Sequence, residues 1–168
     1  MSLIIREFNA NDLPQMISIW NDIVADGTAF PQETPLNPQT AQAFFGKQSL
    51  TAVAINDLGK IVGLYILHPN NIGRCGHIAN ASYAVDKNCR GQKIGEQLVN
   101  HSLQQAAKLG FKIMQFNAVV ASNQTALRLY QKLGFTQLGV IKNGFRLNNG
   151  EFVDIVPHYI ELPDEILA

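Results

Sequence analysis

The chain has 168 residues, 46% hydrophobic and 15% charged, with 13 Lys plus Arg against 13 Asp plus Glu. Such a length and apolar content suit one domain with a real core and argue against disorder. The charge balance leaves no basic footprint, which disfavours nucleic acid as a main ligand.

Leu3 to Phe8 alternates apolar and polar residues and reads as a half-buried strand. Asn11-Asp12-Leu13-Pro14 opens a helix, with a capping side chain and a proline tolerated in the first turn, and its apolar face runs to about Ala25. Asp26 to Leu36 carries a glycine and two prolines, so it is a loop, and it displays Phe30 and Glu33. A short helix capped by Asn37 follows to about Gln48. Leu50–Ile55 and Lys60–Leu67 form a hairpin around Asn-Asp-Leu-Gly, and a strand is expected over residues 75–85. Beyond it come a helix ending near Gly110, a strand over Phe111–Val119, a helix capped by Asn123, and last strands over Phe135–Ile141 and Phe152–Ile160. The order β-α-α-β-β-β-α-β-α-β-β describes a three-layer α/β domain with a mixed sheet and no linker or repeat.

Cys75 and Cys89 have no CxxC spacing and read as reduced thiols, and nothing in the sequence supplies a base to make Cys89 a nucleophile. No signal-peptide pattern, membrane-length apolar run or metal-ligand spacing is present, so a cytoplasmic protein without membrane or metal is expected.

Two stretches carry chemistry. In Val85-Asp-Lys-Asn-Cys-Arg90-Gly-Gln-Lys-Ile-Gly95-Glu-Gln-Leu98 a strand feeds a helix through an Arg/Gly-bearing loop. That arrangement points free N–H groups and a positive helix end at one place, which suits a pyrophosphate, although such a turn is often only a turn. The second stretch, Asn123 to Phe135, is a capped helix with Ala126, Leu129, Tyr130 and Leu133 on one stripe and Gly134 at its close. A capped amphipathic helix explains the spacing but not the tyrosine on its buried stripe.

With these residues the chain resembles the GCN5-related N-acetyltransferases (the GNAT family). Arg90-Gly-Gln-Lys-Ile-Gly95 resembles that family's Arg/Gln-x-x-Gly-x-Gly/Ala loop, with Lys93 in place of its first glycine, and Asn123…Ala126…Tyr130…Gly134-Phe135 resembles the Asn-x-x-Ala…Tyr-x-x-x-Gly-Phe segment. Gly27-Thr-Ala-Phe30, Glu33-Thr-Pro and Gly144 to Asp154 resemble the phosphinothricin N-acetyltransferase branch. Gly76-His-Ile-Ala-Asn80 and Gln115-Phe-Asn117 resemble the enzymes acting on L-azetidine-2-carboxylate. The resemblance implies a GNAT fold of about seven mostly antiparallel, twisted strands flanked by about four helices.

It also implies acetyl-CoA as cofactor and a small-molecule amine, an amino acid or analogue, as substrate. Main-chain groups of Ala84, Val85 and Asp86 are expected to pair with the pantetheine arm. Arg90, Gly91, Gln92, Lys93, Ile94, Gly95 and Glu96 are expected at the pyrophosphate, with Asn123, Ala126 and Tyr130 completing the cofactor site. Tyr130 is expected as general acid, since a phenol near pKa ~10 and a thiol near ~8.5 differ modestly. Phe30, Glu33, Asn80, Asn117 and Phe145 are expected at the substrate. For the base, His77, Glu33, Asp154 and a water relayed through Asn80 all stay open. A peptide N-terminal acetyltransferase and a non-catalytic acyl-CoA sensor are the rival readings, and a homodimer is expected by resemblance.

Overall fold

The computed structural model describes residues 3–164. β1 (Ile4–Glu7) leads through a 3-10 turn into α1 (Leu13–Asp26), and α2 (Pro38–Gly46) follows the proline-bearing loop. Each start has a local cause. Asn9 and Asp12 form a reciprocal capping box before α1, and Asn37 and Thr40 form another at α2. Pro14 and Pro38 sit in first turns, where a missing N–H costs nothing.

β2 (Leu50–Ile55) and β3 (Ile61–Pro69) make the hairpin, and β4 (Ile78–Val85) returns beside β3. Then come α3 (Ile94–Lys108), β5 (Ile113–Phe116), α4 (Gln124–Lys132), β6 (Thr136–Gln137), β7 (Ile141–Arg146), β8 (Phe152–Ile155) and β9 (His158–Glu161). Seven strands form one sheet in the order β1-β2-β3-β4-β5-β9-β6, antiparallel except where β4 lies beside β5. This is the mixed, mostly antiparallel α/β architecture expected from the sequence.

The sheet buries both faces. On one, Met16, Trp20 and Phe45 of α1 and α2 pack on Val53, Leu64, Ile66 and Ala84. On the other, Ile94 and Leu98 of α3 and the apolar stripe of α4 cover Tyr65, Leu67, Ala81 and Met114. Gly63 lets α3 come this close: a Cβ there would lie 3.0 Å from Leu98 Cδ1 and 3.1 Å from Ile94 Cγ2.

Several expected boundaries shift. Residues 73–75 turn as a 3-10 segment, so β4 begins at Ile78 rather than at residue 75. β5 is shorter than Phe111–Val119, because Val119 O accepts from Val156 N–H at 2.8 Å and Val120 bridges Ile155. The strand expected over Phe135–Ile141 divides around Gly139, whose φ is 128°, and the one over Phe152–Ile160 divides at Pro157, which has no N–H for a ladder. As a result β7 and β8 leave the main sheet as a separate two-stranded hairpin.

Candidate active site

Among the described residues β4 and β5 are the one parallel pair, and they are in register only at Ile78↔Ile113 and Ala79↔Met114 before they part. Asn80 Nδ2 donates to the Gln115 carbonyl at 3.0 Å. Had the ladder continued, that carbonyl would have met the N–H of Ala81. Asn70 Oδ1 accepts from Asn117 Nδ2 at 2.6 Å and from Asn80 Nδ2 at 3.4 Å, while Gln115 Nε2 donates to Asn117 Oδ1 at 3.0 Å. The fork therefore joins the two expected asparagines through Asn70, a turn residue that carries no motif.

The pleat decides which main-chain groups face the opening. Asn70 N–H donates to Ile78 O at 2.7 Å and Asp86 N–H donates to Val62 O at 2.9 Å, so Ile78, Asn80, Ser82, Ala84 and Asp86 turn their peptide groups toward β3. Ala81, Tyr83 and Val85 turn theirs toward the gap. Of the expected trio Ala84, Val85 and Asp86, only Val85 offers main-chain groups there. The Asp86 carboxylate instead accepts from Lys60 Nζ at 2.7 Å and Asn88 N–H at 2.9 Å, and Lys60 holds its pKa below 3.8.

Two clefts open along this gap. The outer one, about 810 Å³, is walled by Val85, Arg90, Gly91, Lys93, Gly95 and Glu96 among others. Ile94 lines it too, with its side chain turned into the core, whereas Gln92 is exposed beside it. Lys93 takes a left-handed conformation, φ 59° and ψ 20°, at the N-terminus of α3, and no side chain caps that helix. Its first N–H groups have no intrahelical partner, and Gly91, at φ 79°, and Lys93 line the outer cleft at this helix start. Arg90 Nη2 lies 3.5 Å from Asp26 Oδ2 and Lys132 neutralises Glu96 at 2.7 Å, so the region fits a ligand with several anionic oxygens.

The inner cleft, about 790 Å³, shares Ala29, Tyr83, Gly95, Asn123, Thr125 and Leu129 with the outer one, which makes a single trough. Phe30 walls it from the loop after α1, its ring 4.4 Å from Trp20. Asn80, Asn117, Asn123, Ala126 and Tyr130 line it as well. Asn123 Oδ1 caps α4 by accepting Ala126 N–H at 3.2 Å. The Tyr130 ring sits 4.7 Å from Phe116 and 5.3 Å from Phe135, and burial pushes its phenol well above pKa 10, so it stays protonated.

The structure does not bring Glu33 or Phe145 to the cleft. Glu33 pairs with Arg146 at the surface, and Phe145 packs with Val120 and Ile155 under the β7–β8 hairpin. His77 is exposed, and Asp154 Oδ1 accepts Asn143 N–H at 3.0 Å; neither lines the trough. The sequence reading missed Lys47 at the end of α2, His68 at the end of β3, and Asn70, all of which wall the inner cleft. Lys47 Nζ stands 5.6 Å from the centre of the Phe44 ring, and among the described residues it forms no ion pair.

Residues 16–135 match the model of the acetyltransferase (GNAT) family. The chain is 34% identical over 130 residues to the N-acetyltransferase aca1 of Schizosaccharomyces pombe, a match over 77% of this chain and 60% of that protein. Thus it spans less than two thirds of that relative's length. It is 30% identical over 142 residues to the L-methionine sulfoximine/L-methionine sulfone acetyltransferase of Pseudomonas aeruginosa, covering 80% of this chain and 81% of that one. Among solved structures, a GCN5-related N-acetyltransferase from Kribbella flavida superposes with a TM-score of 0.88 at 29% identity, over 95% of this chain and 98% of that one.

Proposed function

Because the chain belongs to the acetyltransferase (GNAT) family, we propose that it acts as one N-acetyltransferase domain that moves an acetyl group from acetyl-CoA to a small amine bearing a carboxylate, an amino acid or amino-acid analogue. The observation that carries the substrate class is the charge of the inner cleft. Among its lining residues no Asp or Glu occurs, and among the described residues Lys47 is a cation without a carboxylate partner. An amino acid brings its own carboxylate to Lys47, whereas a polyamine meets no acid. The amides of Asn70, Asn80 and Asn117 orient polar groups without adding net charge. The substrates named for the Pseudomonas relative support the same class.

Acetyl-CoA supplies a thioester whose acetyl carbon is open to attack. The uncapped N–H groups of α3 and the Lys93 ammonium hold its pyrophosphate, the helix end favouring that charge by roughly 1 kcal/mol. Val85 pairs its main chain with the pantetheine arm, and an N–H facing the gap on β4 stabilises the oxygen that gains charge. Tyr130 gives its proton to the departing sulfur. Alternation along the strands sets the sides. Tyr83 and Phe116 share the α3–α4 face with Tyr130, and Asn80 shares the α1–α2 face with Ala84. Thioester and amine thus meet through the fork from opposite faces, aligned before reaction.

A homodimer fits the same reading. Leu138, Val140, Ile141 and Phe152 are each more than half exposed around β6, β7 and β8, an apolar group suited to a second copy. The free thiols Cys75 and Cys89 support a cytoplasmic setting, and no described helix is long and apolar enough to cross a membrane.

Thiol release from acetyl-CoA, screened over amino acids, proline analogues, phosphinothricin, methionine sulfoximine, polyamines and short peptides, tests the function. Turnover is expected with small amines that carry a carboxylate. Tight acetyl-CoA binding without turnover on any amine would make the protein a sensor. A preference for peptide N-termini would make it a peptide acetyltransferase.

A further inference from the structure

We propose that His68 is the general base that deprotonates the substrate's ammonium group, a role that rests on the inner cleft being the amine's site. His68 lies near the end of β3 and lines the inner cleft, directly opposite Asn80 in the β3–β4 register. Directly opposed side chains project to the same face of a sheet, so imidazole and Asn80 amide stand together on the α1–α2 side, in line with Leu64 and Ile66. Tyr130 closes the trough from the α3–α4 side. The proton acceptor thus sits with the incoming amine, and the proton donor sits with the leaving sulfur.

The imidazole is held in the tautomer this task requires. His68 Nδ1 lies 2.9 Å from the Pro69 carbonyl oxygen, which only accepts, so Nδ1 carries the hydrogen and neutral Nε2 keeps its lone pair. Around the same cleft the other titratable side chains are Lys47 just after α2, Tyr83 on β4 and Tyr130 on α4. Burial raises both tyrosines, and the Tyr83 hydroxyl is 2.7 Å from Ser102 Oγ. Among the described residues no carboxylate lines the cleft, and His77, Glu33 and Asp154 stand outside it.

The proton balance closes. His68 Nε2 takes one proton from the ammonium, and the freed lone pair forms the N–C bond to the acetyl carbon. The C–S electron pair leaves with sulfur, which takes the Tyr130 proton. The second proton, lost from nitrogen as the amide forms, restores the Tyr130 phenol. His68 then releases its proton to solvent, so the products are amide, free thiol and one proton.

Steady-state kinetics of the wild type, His68→Gln and His68→Ala, with the best amino acid found and acetyl-CoA from about pH 6 to pH 9, provide the test. In His68→Gln the amine kcat/KM is expected to fall roughly 100-fold near neutrality while the acetyl-CoA KM hardly changes. The deficit should shrink as pH rises and free amine accumulates, and added imidazole should restore part of the His68→Ala rate. A wild-type pH profile in His68→Gln would overturn the proposal, whatever the absolute rate, because a purely structural role lowers the rate without changing the profile. If the wild type itself turned over no amine, the reading of the cleft would fail first; an active wild type matched by both variants would remove only the base.

Discussion

Asn80 Nδ2 and the Gln115 carbonyl lie 3.0 Å apart at the point where β4 and β5 separate, so a side chain takes the bond that backbone would otherwise make. A parallel pair that simply ended here would leave that carbonyl to the cleft. Asn80 therefore serves the fork as well as the wall of the proposed substrate cleft. Asn80→Leu is expected to cost about 1–2 kcal/mol of stability, from one half-buried acceptor losing its donor. It should raise the amine KM more than the acetyl-CoA KM, as should Asn117→Ala, which leaves the backbone bond intact. Urea denaturation with two-substrate kinetics checks both.

Lys93 occupies a left-handed position that glycine adopts freely, φ 59°. Lys93→Gly should relieve backbone strain of about 1 kcal/mol and so raise or preserve stability, while the lost ammonium raises the acetyl-CoA KM several-fold. That KM defect should narrow at high salt, where the charge is screened in the wild type too. A denaturation midpoint and a salt series separate the two effects.

Tyr130→Phe removes the proposed proton donor but keeps the ring that packs on Phe116 and Phe135. We expect kcat to fall about 100-fold with little change in acetyl-CoA affinity. Since burial lifts the Tyr130 pKa above 10, the wild type should show no alkaline loss of kcat from this group below about pH 10. Unchanged kcat in the variant, with chemistry rate-limiting, would remove Tyr130 from the mechanism.

Lys47→Gln tests how the substrate is recognised. For an amino acid the variant's kcat/KM should fall about tenfold, the cost of one exposed charge-assisted contact, whereas the matching decarboxylated amine should be unaffected or improved. Equal losses on both amines would assign Lys47 to packing against Phe44.

His158 sets a pH dependence of stability. It is fully buried, with Nδ1 2.6 Å from the Val156 carbonyl and Nε2 without a partner among the described residues, and burial lowers its pKa below 6.5; burial likewise lowers that of His101. The unfolded chain then takes up protons first. Stability should decline as pH falls from about 6.5 toward the folded pKa and level off beneath it. Asp12 and Asp86, held below 3.8 by Arg6 and Lys60, add their loss only at lower pH. Urea midpoints in steps through this range should show two separate declines, and His158→Gln should flatten the upper one.

The anion loop and the α4 segment were legible in the sequence because their geometry is local. Consecutive N–H groups at a helix start and a stripe at i, i+3, i+4 and i+7 depend on residues a few places apart. The same locality placed Asn80 on a strand, whereas Asn117, expected on one, lies just past the end of β5. Short-range pattern did not reveal that the pleat, fixed by pairing with β3, turns Ala84 and Asp86 away from the gap and leaves Val85 facing it. Nor did it show that a break at Pro157 sends β7 and β8 off the sheet, carrying Phe145 into its own small core. Lys47, His68 and Asn70 carry no motif. They become neighbours of Asn117 and Tyr130 when α2, the end of β3 and the following turn close around the fork. The loop proposed for the cofactor was thus determined by the sequence alone, while the walls of the cleft proposed for the amine were decided by tertiary structure, because only long-range packing brings together side chains so far apart in the chain.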